Sequence, residues 1–156
     1  MAYDAAALAS LGGALALVGG LIGSSIGIGI AGSAGAATLS EDPRQFRNVL
    51  VLASLPMTQT FYGLIVLILI VTSVVPGIPS EVGKGWTVFG AGMIAAAAEL
   101  FSAVFQGKIC ASGISLLPKT RGKILVNAMM LAVFVELLGV LGLVFTIMSL
   151  NMLGLM

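Results

Sequence analysis

Histidine is absent from this 156-residue chain, cysteine occurs once, and charged side chains make up only 8% of the residues. Each shortage excludes something. Without histidine the chain lacks the commonest metal ligand and the side chain that most readily exchanges protons near neutral pH. Cys110 alone permits neither an internal disulfide nor a cysteine-based metal cluster. An average soluble domain carries about 25% charged residues; the seven bases and six acids here are too few to cover a water-facing surface. They sum to a net charge of +1 with no clustered basic face, which argues against a nucleic-acid partner. Asp4 is the only charged side chain before Glu41. The basic leading segment of a cleaved signal peptide is therefore missing, and Met1 onward reads as mature protein.

What the chain does have is apolar surface: 59% hydrophobic residues and a mean hydropathy of +1.17. A membrane-spanning helix needs about 20 apolar residues. Four segments exceed that, roughly Ala5–Leu39, Val49–Val75, Trp86–Leu117 and Ile124–Leu155. The breaks between them carry turn chemistry: Ser40 to Arg44, Pro76 to Ser80, and Pro118 to Lys123. Short loops make neighbouring helices antiparallel, so the expectation is an all-α membrane protein of two helical hairpins. Arg44, Arg47, Lys119, Arg121 and Lys123 lie in or beside the first and third loops, whereas Lys84 is the only base near the other side. The positive-inside rule then puts both hairpin loops in the cytoplasm and both termini outside.

The hairpins read as a duplication. Ser24, Gly29, Gly35 and Leu39 recur 78 residues later as Ser102, Gly107, Gly113 and Leu117. After a one-residue slip, Asn48 and Gly63 recur 79 later as Asn127 and Gly142. The expected units are residues 1–78 and 79–156, a parallel repeat of a two-helix element. Under the second offset Glu136 falls opposite Met57, so only one half carries that acid.

Glu136 is the most informative residue. It sits in an otherwise uncharged run from Ile124 to Met156, and a charge at mid-bilayer costs from ~2.5 to more than 10 kcal/mol, so it is functional by default. Depth can be read from the helix rise of about 1.5 Å per residue. Glu136 lies 13 residues after Lys123, Gln59 lies 12 after Arg47, and Gln106 lies 11 before Leu117. All three therefore fall ~17–20 Å from the same side of the membrane. Thr58 adjoins Gln59, and Tyr62 follows it by three on the same helix face. Pro56 disturbs the helix just before them and can leave nearby main-chain oxygens, such as that of Leu55, free to face an ion. Oxygen-rich groups from three spans at one depth suggest a site for a hard monovalent cation or a proton.

Two other features need placing. Gly27-Ile28-Gly29-Ile30-Ala31-Gly32 matches a dinucleotide fingerprint in form only, because it lies inside a span rather than after a strand. Gly19, Gly23, Gly27, Ala31 and Gly35 instead make a small-residue stripe that lets helix backbones approach closely. Glu99 is a second deep acid, seven residues before Gln106 and ~10 Å further toward the outside. It reads either as a neutral glutamate at a helix interface or as a second ionisable station. Lys108 is expected to snorkel toward the cytoplasm, and Cys110 to be a packing residue.

Leu55-Pro56-Met57-Thr58-Gln59-Thr60-Phe61-Tyr62-Gly63, Phe105-Gln106-Gly107-Lys108 and Val135-Glu136-Leu137-Leu138-Gly139 resemble the motifs of the membrane rotor subunit of V/A-type rotary ATPases, the double-hairpin proteolipid. The resemblance covers nearly the whole chain and is nearest to the sodium-translocating members. It implies a closed homo-oligomeric ring, sodium held by the Leu55 carbonyl, Thr58, Gln59, Gln106 and Glu136, and Tyr62 closing the site on the carboxylate. About five oxygens are more than a proton requires, which favours sodium as the carried ion, with a proton alone as the alternative. The resemblance further implies a stator membrane subunit, a central stalk at the cytoplasmic loops, surrounding lipid and a prokaryotic plasma membrane. The chain would be non-catalytic, since it has no P-loop for ATP. The competing classes are a proton-conducting or structural membrane oligomer, and a stand-alone secondary transporter.

Overall fold

The computed structural model describes residues 4–156. Four helices among them are long and apolar enough to cross a membrane: α1 (Ala5–Glu41), α2 (Pro43–Gly77), α3 (Val82–Ser115) and α4 (Leu125–Met152). They form two antiparallel hairpins, and no strand occurs among the described residues.

The ends follow local chemistry. Asp4 caps α1 by accepting the Ala6 amide at 3.1 Å, one of the orphan donors of a helix N-terminus. The first turn is tighter than the expected Ser40–Arg44 loop, for Ser40 and Glu41 stay helical and only Asp42 separates α1 from α2. Asp42 is extended, caps the turn that begins at Pro43 and accepts the Arg44 guanidinium at 2.8 Å. Hydrogen bonds from Arg44 and then Gln45 hold its carboxyl down at about 2, against 3.8 ordinarily. A lowered folded pKa means the ionised cap contributes fully above about pH 3.8 and is lost as pH falls through about 2. In the third break Pro118 opens a single helical turn, Leu117–Thr120. Arg121 and Gly122 then adopt positive φ of 52° and 82°. At Gly122 a β-carbon would also come 2.9 Å from the Asn48 amide nitrogen, so glycine is required twice over there.

Helix α2 is the irregular member. Pro56 enforces a 3-10 turn at Leu55–Met57, and the helix ends through a π turn at Ile70–Val74 and a 3-10 turn at Val75–Gly77. Helix α3, by contrast, is α-helical for 34 residues.

The small-residue stripe of α1 is used within the chain, chiefly against α3. A β-carbon at Gly23 would lie 2.7 Å from the Leu100 carbonyl oxygen, and one at Gly19 or Gly27 would land on the backbone of Ala96 or Ala103. Helix α3 reciprocates, with Gly92 against Gly12 and Gly107 against Gly27. Each interior glycine costs about 1 kcal/mol of helix propensity relative to alanine. Backbone-to-backbone packing offsets that in lipid, where no hydrophobic force joins helices.

The interior is layered along the helices. One apolar cluster gathers Ala16, Val66, Ile70, Val88, Ala95 and Leu150 toward the termini. A second gathers Leu52, Cys110, Ile114, Leu117 and Ala132 toward the hairpin loops. Between them lie Gln59, Glu99, Ser102 and Gln106, all buried. This polar layer positions the site.

Candidate ion site

Pro56 sets one wall. In the 3-10 turn it imposes, the Leu55 carbonyl accepts the Thr58 amide, and the Thr58 hydroxyl lies 3.3 Å from the same oxygen. That hydroxyl also lies 3.2 Å from the Gln59 side-chain oxygen; with one proton it donates to one of the two at a time. Gln59 donates both amide protons, to the Gln106 oxygen at 2.9 Å and the Ser102 hydroxyl at 3.0 Å. Gln106 donates to one carboxylate oxygen of Glu136 at 3.2 Å. Tyr62 donates to the other at 3.1 Å. One continuous set of contacts thus runs from the Leu55 carbonyl through Thr58, Gln59 and Gln106 to Glu136 and Tyr62. The common depth calculated from the helix rise corresponds to direct contact.

Gln59 and Gln106 are fully buried, while Thr58, Tyr62 and Glu136 are half-buried. A carboxylate here has one donor per oxygen and no basic partner, and charge-assisted hydrogen bonds in low dielectric are the strong kind. The cluster therefore presents six oxygen-bearing groups, one of them a carboxylate, which suits one hard monovalent cation or a proton. No grouping of three or more His, Cys, Asp or Glu side chains occurs among the described residues.

Ser102 is a member the sequence reading passed over. It accepts from Gln59 and donates to the Val135 carbonyl at 2.9 Å, tying α2, α3 and α4 together behind the carboxylate. Its signal was present, four residues before Gln106 on the same face. Glu99 stays outside the cluster: it is fully buried, and neither of its oxygens has a hydrogen-bond partner among the described residues. Lys108 departs from expectation. Its ammonium lies 4.7 Å from the centre of the Phe105 ring, because helical side chains lean toward their own N-terminus and the ring face attracts the cation.

Four membrane-length helices enclosing a single half-buried acid and its amide partners define a membrane subunit that carries an ion. Comparison with known proteins agrees. The family of ATP synthase C subunits matches residues 11–70 and again 89–149. The chain is 36% identical over 123 residues to the V-type sodium ATPase subunit K of Enterococcus hirae, covering 79% of this chain and 77% of that protein. It is 35% identical over 147 residues to the A-type ATP synthase subunit K of Methanocaldococcus jannaschii, covering 94% of this chain and 63% of that longer protein. The chain belongs to the ATP synthase C-subunit family. It is a rotor proteolipid of the V/A type, a non-catalytic integral membrane subunit that works as a homo-oligomeric ring within an ATPase complex.

Proposed function

We propose that each copy of this chain carries one sodium ion across the membrane, held by the Leu55 carbonyl, Thr58, Gln59, Gln106 and Glu136, with Tyr62 closing the site. The observation that carries the reading is the contact set linking these six residues, which brings the five proposed ligand groups, Glu136 among them, into one cluster. A proton needs only the carboxylate, whereas a dehydrated sodium ion needs several oxygens to replace its water. The sodium named for the Enterococcus hirae relative supports the same choice.

The mechanism follows from charge. Facing lipid, Glu136 must be neutralised, because a bare carboxylate there is too costly. Facing a hydrated path beside a basic residue of a stator membrane subunit, it releases the ion. Turning the ring past that stator converts ion transfer into torque, and the loops at Asp42 and Pro118–Lys123 face the cytoplasm and dock the central stalk. The duplicated halves, 1–78 and 79–156, then supply α1–α2 and α3–α4.

The test is sodium protection. A carbodiimide attacks the protonated acid, which bound sodium displaces. Millimolar sodium at mildly alkaline pH should slow labelling of Glu136 by about tenfold. Equal labelling with and without sodium would eliminate sodium and leave a proton-coupled ring.

A further inference from the structure

Glu99 has no part in the contacts around Glu136, yet the fold makes room for it. A β-carbon at Gly139 would lie 2.8 Å from one carboxyl oxygen of Glu99, and one at Gly142 would lie 3.8 Å from the other. The two glycines, one turn apart on α4, thus form a recess for this carboxyl group. It is sealed, since Glu99 has no exposed surface.

The charge in that recess must be zero or balanced, and nothing balances it. Helix α1 carries no charged residue between Asp4 and Glu41, and α2 none between Arg47 and Gly77. The ionisable groups that α2 and α4 bring to this layer are the Tyr62 phenol and the Glu136 carboxyl, neither of them a cation. Lys108 is the nearest base on α3, nine residues and ~13 Å along the helix. Neighbouring copies in a ring bring the same sequence, so they supply no base at this depth either. A second negative charge would also oppose Glu136, on the same α4 face as Gly139.

The neighbouring oxygens then bear on the choice of ligand. Beyond the two oxygens of Glu99, the recess adds the Ser102 hydroxyl, which would lie 3.1 Å from the same Gly139 β-carbon. That hydroxyl is already engaged with Gln59 and Val135. A metal cation needs several free oxygens to replace its hydration shell, while a proton needs one, and both Glu99 oxygens are without a hydrogen-bond partner.

We propose that Glu99 is a second ion station whose ligand is a proton, taken from water before the helices seal and held throughout rotation. The chain then carries an exchanging ion at Glu136 and a resident proton at Glu99. This does not depend on which ion Glu136 takes.

Infrared spectra of the purified ring in lipid, at mildly alkaline pH and saturating sodium, test it. The carbonyl stretch of a protonated carboxylic acid under these conditions, assigned by its loss in Glu99→Gln, reports Glu99. The band should be present in the native ring, persist in Glu136→Gln and vanish in Glu99→Gln. The Glu136→Gln ring alone suffices if Glu99→Gln fails to assemble. Absence of the band in the native ring, or its survival in Glu99→Gln, would overturn the proposal. So would two sodium ions bound per native chain, one of them lost in Glu99→Gln.

Discussion

The Tyr62 hydroxyl and a Glu136 carboxylate oxygen meet at 3.1 Å, although 74 residues of chain separate them. The bond joins the two hairpins at mid-membrane and leaves the carboxylate only when the phenol swings away. A hydrogen bond to a charged group is worth ~1.5–3 kcal/mol. Tyr62→Phe should therefore weaken sodium protection of Glu136 by roughly tenfold or more, with the ring still assembled. Unchanged half-protection would show that Tyr62 does not close the site.

Glu136→Gln keeps the shape and removes the charge. Ion-coupled ATPase activity should fall to background while the ring is recovered in normal yield. Full coupling in this variant would remove Glu136 from its central place.

Thr58→Ala and Gln106→Ala each delete one proposed oxygen ligand and leave the carboxylate in place. Carbodiimide should still react with Glu136 in both, but more sodium should be needed to prevent it. A variant with native sodium dependence would strike that residue from the ligand set.

The four spans and the depth of Gln59, Gln106 and Glu136 were legible in the sequence because hydropathy and helix rise are one-dimensional quantities. Rotation about each helix axis is not. Ser102 reads in the sequence only as a repeat position, since its role depends on α2 and α4 turning toward it. Lys108 differs from expectation for a related reason: snorkelling rests on depth alone, whereas the side chain lies over the Phe105 ring one turn toward the helix N-terminus. The first loop is shorter than its Ser, Glu and Asp residues suggest, because α1 runs on to Glu41. The Ser40 hydroxyl instead bonds the Ala37 carbonyl at 2.7 Å, inside the helix.

The α1–α3 seam makes a steric prediction. Gly92→Ala places a methyl group on the backbone of Gly12, and Gly107→Ala places one on Gly27. Both should cost about 1–3 kcal/mol or more, read as a lower melting temperature and poor ring yield. Gly83→Ala has nothing within 4 Å of the new methyl and should be neutral to slightly stabilising. Native-like stability of Gly92→Ala would refute the backbone contact.

Cysteines introduced at Thr120 and Ser80 should label from opposite sides of sealed vesicles, the first from the cytoplasmic side. Native Cys110 is buried and should add little background. Labelling of both from one side would reject the proposed topology.

The turn at Leu55–Met57 has a consequence for speed. The Pro56 ring fixes its own φ within that turn, and the Leu55 carbonyl is held there on the Thr58 amide. The work of bending the backbone is done once, when the chain folds, and need not be repeated at each loading. What remains to move is a phenol, an amide and a hydroxyl. Side-chain reorientations of that kind are far faster than the microsecond-to-millisecond remodelling of helices. In the proposed site, then, ion exchange is timed by arrival at the hydrated path rather than by any rearrangement of the helix that holds the ion.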